Sequence, residues 1–454
     1  MSLLEMLLNH PANELCIVDG RETLSYGAMN EGIVKLRSLL TSKGISPTSV
    51  VALRASQDTH SILTLLTLLE MECSVVVVHS RWPDTMLNEA LERVSATHLI
   101  TPRTIIEVDV QKLSSSQPHP FRARGASVIV ATSGSTGVPK LALLSLASLL
   151  ASARTAAPAC ALTRHDRWQL SLPLFHVGGL GILLRSLVTG SSISLTSADD
   201  GVVAPTTTHL SLVPTQLYRL LKDTKSREGL RQKRCIMLGG APIGTRILRE
   251  AIDMGIPVMT TYGLTEMGSV VTLASAPLIL EDGAISLGQT LPGREIRLST
   301  DGEVLTRGET LFTGYITTEG LSLPCDHEGW FATGDLGEIL PDGTLAIIGR
   351  RDAQFISGGE NIHPEMIENA LTSLPGIIAA CVVPIPNEEF GHRPFAFVVS
   401  ERGELDINDI REALRPLLPG FALPIGIQEA PQDTYTAAGK ISRSLALLRV
   451  KLAN

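Results

Sequence analysis

The chain has 454 residues, 44% of them hydrophobic and 19% charged, with a formal net charge of −8 and a pI near 5.8. That length exceeds what one core can serve, so two or three domains are expected, and the composition is that of a globular protein rather than a disordered or fibrous one. No basic stripe stands out, which argues against a nucleic-acid partner and requires any anionic ligand to be met by local cations.

The N-terminal segment Met1–His10 lacks a basic start and carries Glu5 inside its apolar run, so no signal peptide is expected. Residues 14–26 read as a strand hairpin turning at Asp19-Gly20. A helix follows from about Tyr26 to Lys43, with Gly44 where a C-terminal cap belongs. Val50–Arg54 is a strand, Asp58–Leu69 a helix and Val75–Val78 a buried strand; Glu70 and Glu72 break this apolar stretch, so it is no membrane span. This alternation predicts a parallel sheet covered on both faces. Residues 101–125 read as a surface connection.

Ala126-Ser-Val-Ile-Val-Ala-Thr132-Ser133-Gly134-Ser135-Thr136-Gly137-Val138-Pro139-Lys140 reads as a buried strand running into an anion-holding turn. Its glycines admit close backbone N–H approach, and its hydroxyls and Lys140 add donors and charge. It is no Walker loop, because Leu141 stands where that motif has the hydroxyl that holds Mg²⁺. Leu141–Ala157 is then expected to be a helix. The segment Trp168-Gln-Leu-Ser-Leu-Pro-Leu-Phe-His176-Val-Gly-Gly-Leu-Gly181 is a strand ending near a histidine, and strand ends are where ligands sit in open α/β sheets. Arg185, amid Leu183, Leu184 and Leu187, either snorkels to solvent or pairs with a carboxylate.

Ser211-Leu-Val-Pro214 leads into another helix, and Arg234-Cys-Ile-Met-Leu-Gly239-Gly240-Ala241-Pro242 is a buried strand ending in two glycines. Pro257-Val-Met-Thr-Thr-Tyr262-Gly-Leu-Thr265-Glu266 delivers an aromatic ring, a hydroxyl and a carboxylate able to hold a hard cation. Residues 281–348 suggest a small β-barrel, ending in Thr333-Gly334-Asp335 and Gly349-Arg350-Arg351-Asp352. The remaining hundred or so residues read as a compact α+β unit, with a lysine after a flexible loop in Thr436-Ala-Ala-Gly439-Lys440-Ile-Ser-Arg443. Taken singly, several of these features have plain structural readings as turns, core histidines or surface lysines. The six cysteines show no C-x-x-C pair, so neither a disulfide framework nor a zinc site is indicated and a reducing, cytoplasmic setting is expected.

Taken together and in this order, these segments resemble the motifs of the adenylate-forming superfamily of acyl-CoA synthetases, adenylation domains and luciferases, over most of the chain. The resemblance implies an α/β fold: a large N-terminal domain of stacked sheets with a small barrel, residues 1–350, and a small mobile C-terminal α+β domain, residues 351–454. It implies that Thr132, Ser133, Gly134, Ser135, Thr136, Gly137 and Lys140 hold ATP phosphates, and that Gly239, Gly240 and Ala241 flank adenine. Tyr262 would stack on the base, Thr265 would contact the α-phosphate, and Glu266 would bind Mg²⁺. Asp335 and Arg350 would hold the ribose, His176 would gate the acyl pocket, Asp352 would be the hinge, and Lys440 would be the catalytic lysine.

Ser171-Leu-Pro-Leu-Phe-His-Val-Gly, Ser211-Leu-Val-Pro-Thr-Gln-Leu, Leu291-Pro-Gly-Arg294-Glu and Glu389-Phe-Gly-His-Arg-Pro394 are similar to the o-succinylbenzoate:CoA ligase branch of menaquinone biosynthesis. That resemblance implies an aromatic acid substrate with a second carboxylate, met by Arg185 with Ser211 beside it and Arg219 as the fallback cation, and coenzyme A as acceptor. Another aryl- or acyl-CoA ligase, or a stand-alone enzyme loading a carrier protein, would share the ATP motifs. Neither a nucleic-acid nor a membrane partner is expected, and a homo-oligomer is left open.

Overall fold

The structure, a computed structural model, describes residues 3–20, 23–79, 84–104, 107–113, 125–132, 140–195, 203–281, 283–401, 406–435 and 441–453. One sheet has eight strands in the order Gly320–Ser322, Gly314–Thr317, Lys140–Ser145, Ser127–Thr132, Ser74–His79, Val50–Ala55, His98–Thr104 and Glu107–Lys112. Its centre is parallel, as expected of valine-rich strands buried on both faces and joined by helical crossovers. The intervening helix Thr59–Glu70 starts where the Asp58 carboxylate accepts the Ser61 N–H at 2.7 Å.

Two local expectations are corrected here. Lys140–Ser145 is a strand, and the helix begins only at Leu146, where Ser145 Oγ accepts the Ser148 N–H at 3.0 Å. Leu141–Leu144 is buried and pairs antiparallel with strands on both sides, so tertiary pairing overrides the helical bias of leucine and alanine. Within the expected surface connection, His98–Thr104 and Glu107–Lys112 form an antiparallel hairpin at the sheet edge.

The second sheet has nine strands, ordered Gln289–Thr290, Ser269–Ala274, Val258–Leu264, Cys235–Leu238, His209–Leu212, Arg167–Gln169, Ser192–Ser194, Leu15–Val18 and Thr23–Ser25. The six strands from Val258–Leu264 to Leu15–Val18 are parallel. A single core joins the two sheets: Val51, Val75 and Val128 from one and Ile17, Trp168 and Met237 from the other meet helix residues Leu149, Ala153, Leu183 and Leu187. Helices Leu146–Ala159 and Val177–Thr189 contribute to this shared core.

Where a small barrel was expected, Arg294–Leu298, Glu303–Gly308, Phe331–Ile339 and Leu345–Arg350 form an open four-stranded antiparallel sheet. The strands Gly314–Thr317 and Gly320–Ser322 pair into the eight-stranded sheet instead. The C-terminal part has its own five-stranded sheet and its own core around Phe355, Ile367, Leu371, Val382 and Val398. It touches the rest through Lys222 and Glu401 at 2.9 Å and through Arg246 Nη2, which donates to the Ile377 carbonyl at 3.0 Å. No helix among the described residues is long and apolar enough to cross a membrane.

Gly288 joins the nine-stranded sheet to the four-stranded one at φ +84°, and a Cβ there would overlap the backbone of Leu273 and Ala274. Gly288→Ala is therefore expected to lower unfolding free energy by about 3 kcal/mol, from overpacking plus left-handed strain. Chemical denaturation measures this; an unchanged midpoint would contradict the close approach.

Candidate active site

The C-terminal ends of the parallel strands in the nine-stranded sheet bring the motif residues to one edge. Gly239 is required there because a Cβ would come within 2.7 Å of the Thr261 side chain, and Gly240 takes φ +74° to turn the chain away from the sheet. On the neighbouring strand, Tyr262 is 8% exposed, and its hydroxyl donates to Asp335 Oδ2 at 2.6 Å. Arg350 Nη1 donates to Asp335 Oδ1 at 3.0 Å and to the Thr333 carbonyl at 2.9 Å. The rest of its fork grips Asp352, with Nε and Nη2 each at 3.0 Å. Four residues singled out in the sequence thus form one continuous chain. Burial pushes the Tyr262 phenol well up, and the charge of Asp335 adds to it, so the hydroxyl remains a donor. Burial works against the charge of Arg350, but its bonds to Asp352 and Asp335 outweigh that and raise its pKa.

Beyond Tyr262 the strand ends in a single 3-10 turn, Thr265–Met267, closed by Gly268 at φ +63°. The Phe312 N–H fixes the Glu266 carbonyl at 2.7 Å, and the Tyr315 hydroxyl donates to Glu266 Oε1 at 2.5 Å. The Lys140 ammonium lies 5.1 Å above the Tyr315 ring. Tyr315 therefore joins the carboxylate to the lysine, a role sequence reading missed. It arises from pairing, since Tyr315 sits opposite Ala142, two residues from Lys140 and on the same face of that strand. Thr132 and Lys140 are paired at the mouth of their two strands. Ser133, Gly134, Ser135, Thr136 and Gly137, which join them, lie outside the described residues.

His176 is the N-cap residue of helix Val177–Thr189, its ring 4.6 Å from that of Phe175. A Cβ at Gly179 would overlap the Pro173 carbonyl, so only glycine lets this helix start so close to the preceding turn. Further along, Arg185 is 2% exposed, and its guanidinium packs 4.5 Å from the Trp168 ring. Among the described residues it has no carboxylate partner and makes no side-chain hydrogen bond, and its Nε is buried and unbonded.

Other buried cations differ. Lys233 donates to the Ala204 and Thr207 carbonyls and the Thr207 hydroxyl at 2.7–2.9 Å. Arg294 donates to Thr155 Oγ1 at 2.6 Å and Ser152 Oγ at 2.9 Å. The half-buried Arg443 holds the buried carboxylates of Glu365 at 3.0 Å and Glu368 at 2.5 Å. Burial pushes the Arg185 pKa down, opposed by the thiols of Cys160 and Cys235 nearby. A buried cation without a proper counter-ion costs several kcal/mol.

The fully buried Trp168, unrecognised in the sequence as part of a site, donates its Nε1–H to Ser211 Oγ at 3.2 Å. One indole thereby connects the two residues expected to meet the acid. Arg219, the fallback cation, is exposed on the outer side of helix Pro214–Lys222 and does not enter this pocket.

Lys440 lies outside the described residues. Its flanks are fixed: Tyr435 bridges to Ile441, and the Ser442 N–H donates to the Thr434 carbonyl at 2.8 Å. Burial raises the Tyr435 phenol, Glu429 adds to the rise, and the charge of Arg219 on the helix after Ser211 opposes it.

A family model described as AMP-binding enzyme matches residues 5–322, and one described as AMP-binding enzyme C-terminal domain matches residues 366–440. The chain is 35% identical over 430 residues to the 2-succinylbenzoate–CoA ligase of Salmonella typhimurium, covering 93% of this chain and 92% of that one. It is 32% identical over 430 residues to the enzyme of the same name from Escherichia coli strain K12, with the same coverage of 93% and 92%. Its fold superposes with a TM-score of 0.84 on a point variant of E. coli MenE with bound OSB-AMS, at 29% identity and covering 100% of this chain and 98% of that one. With the strand-end geometry and these matches in hand, the chain belongs to the AMP-binding enzyme family.

Proposed function

We propose that this protein joins 2-succinylbenzoate to coenzyme A, using ATP and releasing AMP and pyrophosphate, as a step of menaquinone biosynthesis. The observation that carries the choice of acid is Arg185, a buried cation with no counter-ion among the described residues. An acid with two carboxylates supplies that counter-ion with one and offers the other for activation. The partners are small molecules: the acid, ATP and coenzyme A.

In the first half-reaction a carboxylate oxygen attacks the α-phosphorus, the bond to pyrophosphate breaks, and an acyl-adenylate forms. No proton moves, so the protein contributes positioning and neutralisation of growing negative charge. Residues 132–137 and Lys140 hold the phosphates, Thr265 contacts the α-phosphate, and Lys440 bridges it to the attacking carboxylate. Gly239, Gly240 and Ala241 lie along adenine, with Tyr262 as a fixed aromatic wall. Asp335 keeps a lone pair on each oxygen for the ribose hydroxyls, and Arg350 steadies it. His176 lines the acyl pocket beside Ser211.

Glu266 suits Mg²⁺: its Oε1 is oriented by Tyr315 while Oε2 carries no hydrogen bond from that residue. Mg²⁺ favours one or two carboxylates plus substrate phosphates, and bound there it supplies positive charge that disperses the charge building on those phosphates.

In the second half-reaction the sulfur of coenzyme A, its thiol proton given up to solvent, attacks the acyl carbon, the bond from that carbon to the AMP oxygen breaks, and AMP leaves. Residues 351–454 act as a mobile unit that turns about Asp352, withdrawing Lys440 and presenting Ser357–Gly359. The turn releases the two Arg350 bonds to Asp352 and the Lys222–Glu401 pair.

Arg185→Met is expected to lower kcat/KM for 2-succinylbenzoate about a hundredfold or more, while 4-oxo-4-phenylbutanoate and benzoate, each with one carboxylate, lose little. The same variant should raise the melting temperature of the free protein, because it removes an unpaired buried charge. Equal losses on all three acids in ATP/pyrophosphate exchange would make Arg185 structural. Lys440→Ala is expected to stop adenylate formation yet still convert supplied acyl-adenylate and coenzyme A to thioester; loss of both halves together would rule out the turning unit.

A further inference from the structure

Gly181 lies one helical turn before Arg185, and a Cβ on it would come within 3.0 Å of Arg185 Nη1 and 3.2 Å of Ser269 Oγ. The guanidinium and the hydroxyl therefore both lie against the bare face of Gly181, where any side chain would crowd them. Ser269 reaches it from a different element, the strand Ser269–Ala274 that returns from the Thr265–Met267 turn.

Ser269 holds φ +110°, a region that residues with a side chain rarely adopt. The strain is imposed by a tight closure: a Cβ at Gly263 would overlap the Ser269 carbonyl, and the pairing register shifts between Tyr262 and Gly263. Glycine would carry this φ without strain, yet a serine stands here, and its hydroxyl makes no hydrogen bond among the described residues. A strained backbone that holds an unengaged hydroxyl on the same side of Gly181 as an unpaired buried cation points to a residue kept for a ligand.

We propose that Ser269 is a specificity-determining residue: its hydroxyl and the Arg185 guanidinium together receive the carboxylate of the acid that is not activated, beside the bare face of Gly181. This rests on the reading of Arg185 given above. The anion accepts a charge-assisted hydrogen bond from the guanidinium and a second one from the hydroxyl, so two elements fix its position. An acid lacking that carboxylate leaves both donors unmet and is rejected for that reason. Val270, 5% exposed, and the Trp168 ring make the surroundings apolar, which strengthens both bonds.

The test compares Ser269→Ala, Ser269→Gly, Gly181→Ala and Arg185→Met with the unaltered enzyme, by ATP/pyrophosphate exchange on 2-succinylbenzoate, 4-oxo-4-phenylbutanoate and benzoate. Ser269→Ala is expected to raise KM for 2-succinylbenzoate about tenfold with kcat for the monocarboxylates unchanged. Ser269→Gly should lose the same selectivity while raising the melting temperature by about 2 °C, because it relieves the strain. Gly181→Ala should lose selectivity at least as strongly, because its methyl group crowds both donors. If Arg185→Met abolishes the preference for 2-succinylbenzoate and the Ser269 variants leave it intact, this proposal is overturned and the assignment of Arg185 stands. If Arg185→Met also leaves it intact, both fall.

Discussion

An arginine side chain closed off from water between two sheets, touching an indole and no counter-ion among the described residues, is the constraint that makes sense of the surrounding site. Such a charge is unfavourable in the free protein by several kcal/mol. The fold carries it because helix Val177–Thr189 is locked by other contacts: Gly179 against Pro173, and Leu183 and Leu187 in the shared core. The unfavourable charge becomes binding selectivity when an anion arrives. The same indole that flanks the guanidinium donates to Ser211 from its other edge, so orientation of the acid and placement of the cation depend on one rigid group.

The ribose end of the nucleotide side is built in the opposite manner, with Asp335 and Arg350 paired to each other. Tyr262, Asp335, Arg350 and Asp352 form a chain from the sheet edge to the start of the C-terminal part, and Arg350 bonds to both carboxylates. A ligand that draws on Asp335 changes what Arg350 gains there, and therefore how firmly it holds Asp352. That coupling needs no long pathway, because one guanidinium fork spans both groups. The exposed Lys222–Glu401 pair adds little holding strength beside it, as surface ion pairs contribute roughly 1 kcal/mol or less. The bonds of Arg350 to Asp352 and of Arg246 to the Ile377 carbonyl stand beside it.

Much of this site could be read in the sequence because its parts are local. A turn that cradles phosphate, glycines at a strand end and the Tyr262–Glu266 run each carry their chemistry within a few residues. What stayed hidden depends on which strands become neighbours. Trp168 reads as an ordinary core aromatic until the parallel pairing of its strand with His209–Leu212 brings Ser211 near. Tyr315 gains its role from lying opposite Ala142, and Ser269 from a backbone angle no sequence pattern encodes. The same cause explains the mistaken helix at Leu141: leucine and alanine favour helix, but a gap between two strands was waiting to be filled. It also explains the missing barrel, since two of its strands are drawn into a larger sheet.

The C-terminal part extends the argument from pairing to positioning. Arg443 stands three residues beyond Lys440 and lies between Glu365 and Glu368, with its Nε donating to the Val382 carbonyl at 3.2 Å. Burial raises the Glu368 carboxyl pKa while Arg443 opposes the rise, so the pair is costly to separate and a poor place for slack. Glu365 also lies against Gly349, where a Cβ would come within 2.6 Å of its Oε2. Gly349 is the residue before Arg350. One buried ion cluster thus ties the base of the lysine-bearing segment to the strand that enters the hinge, and the absence of a side chain at Gly349 is what allows helix Pro364–Ser373 to sit close enough to make that tie.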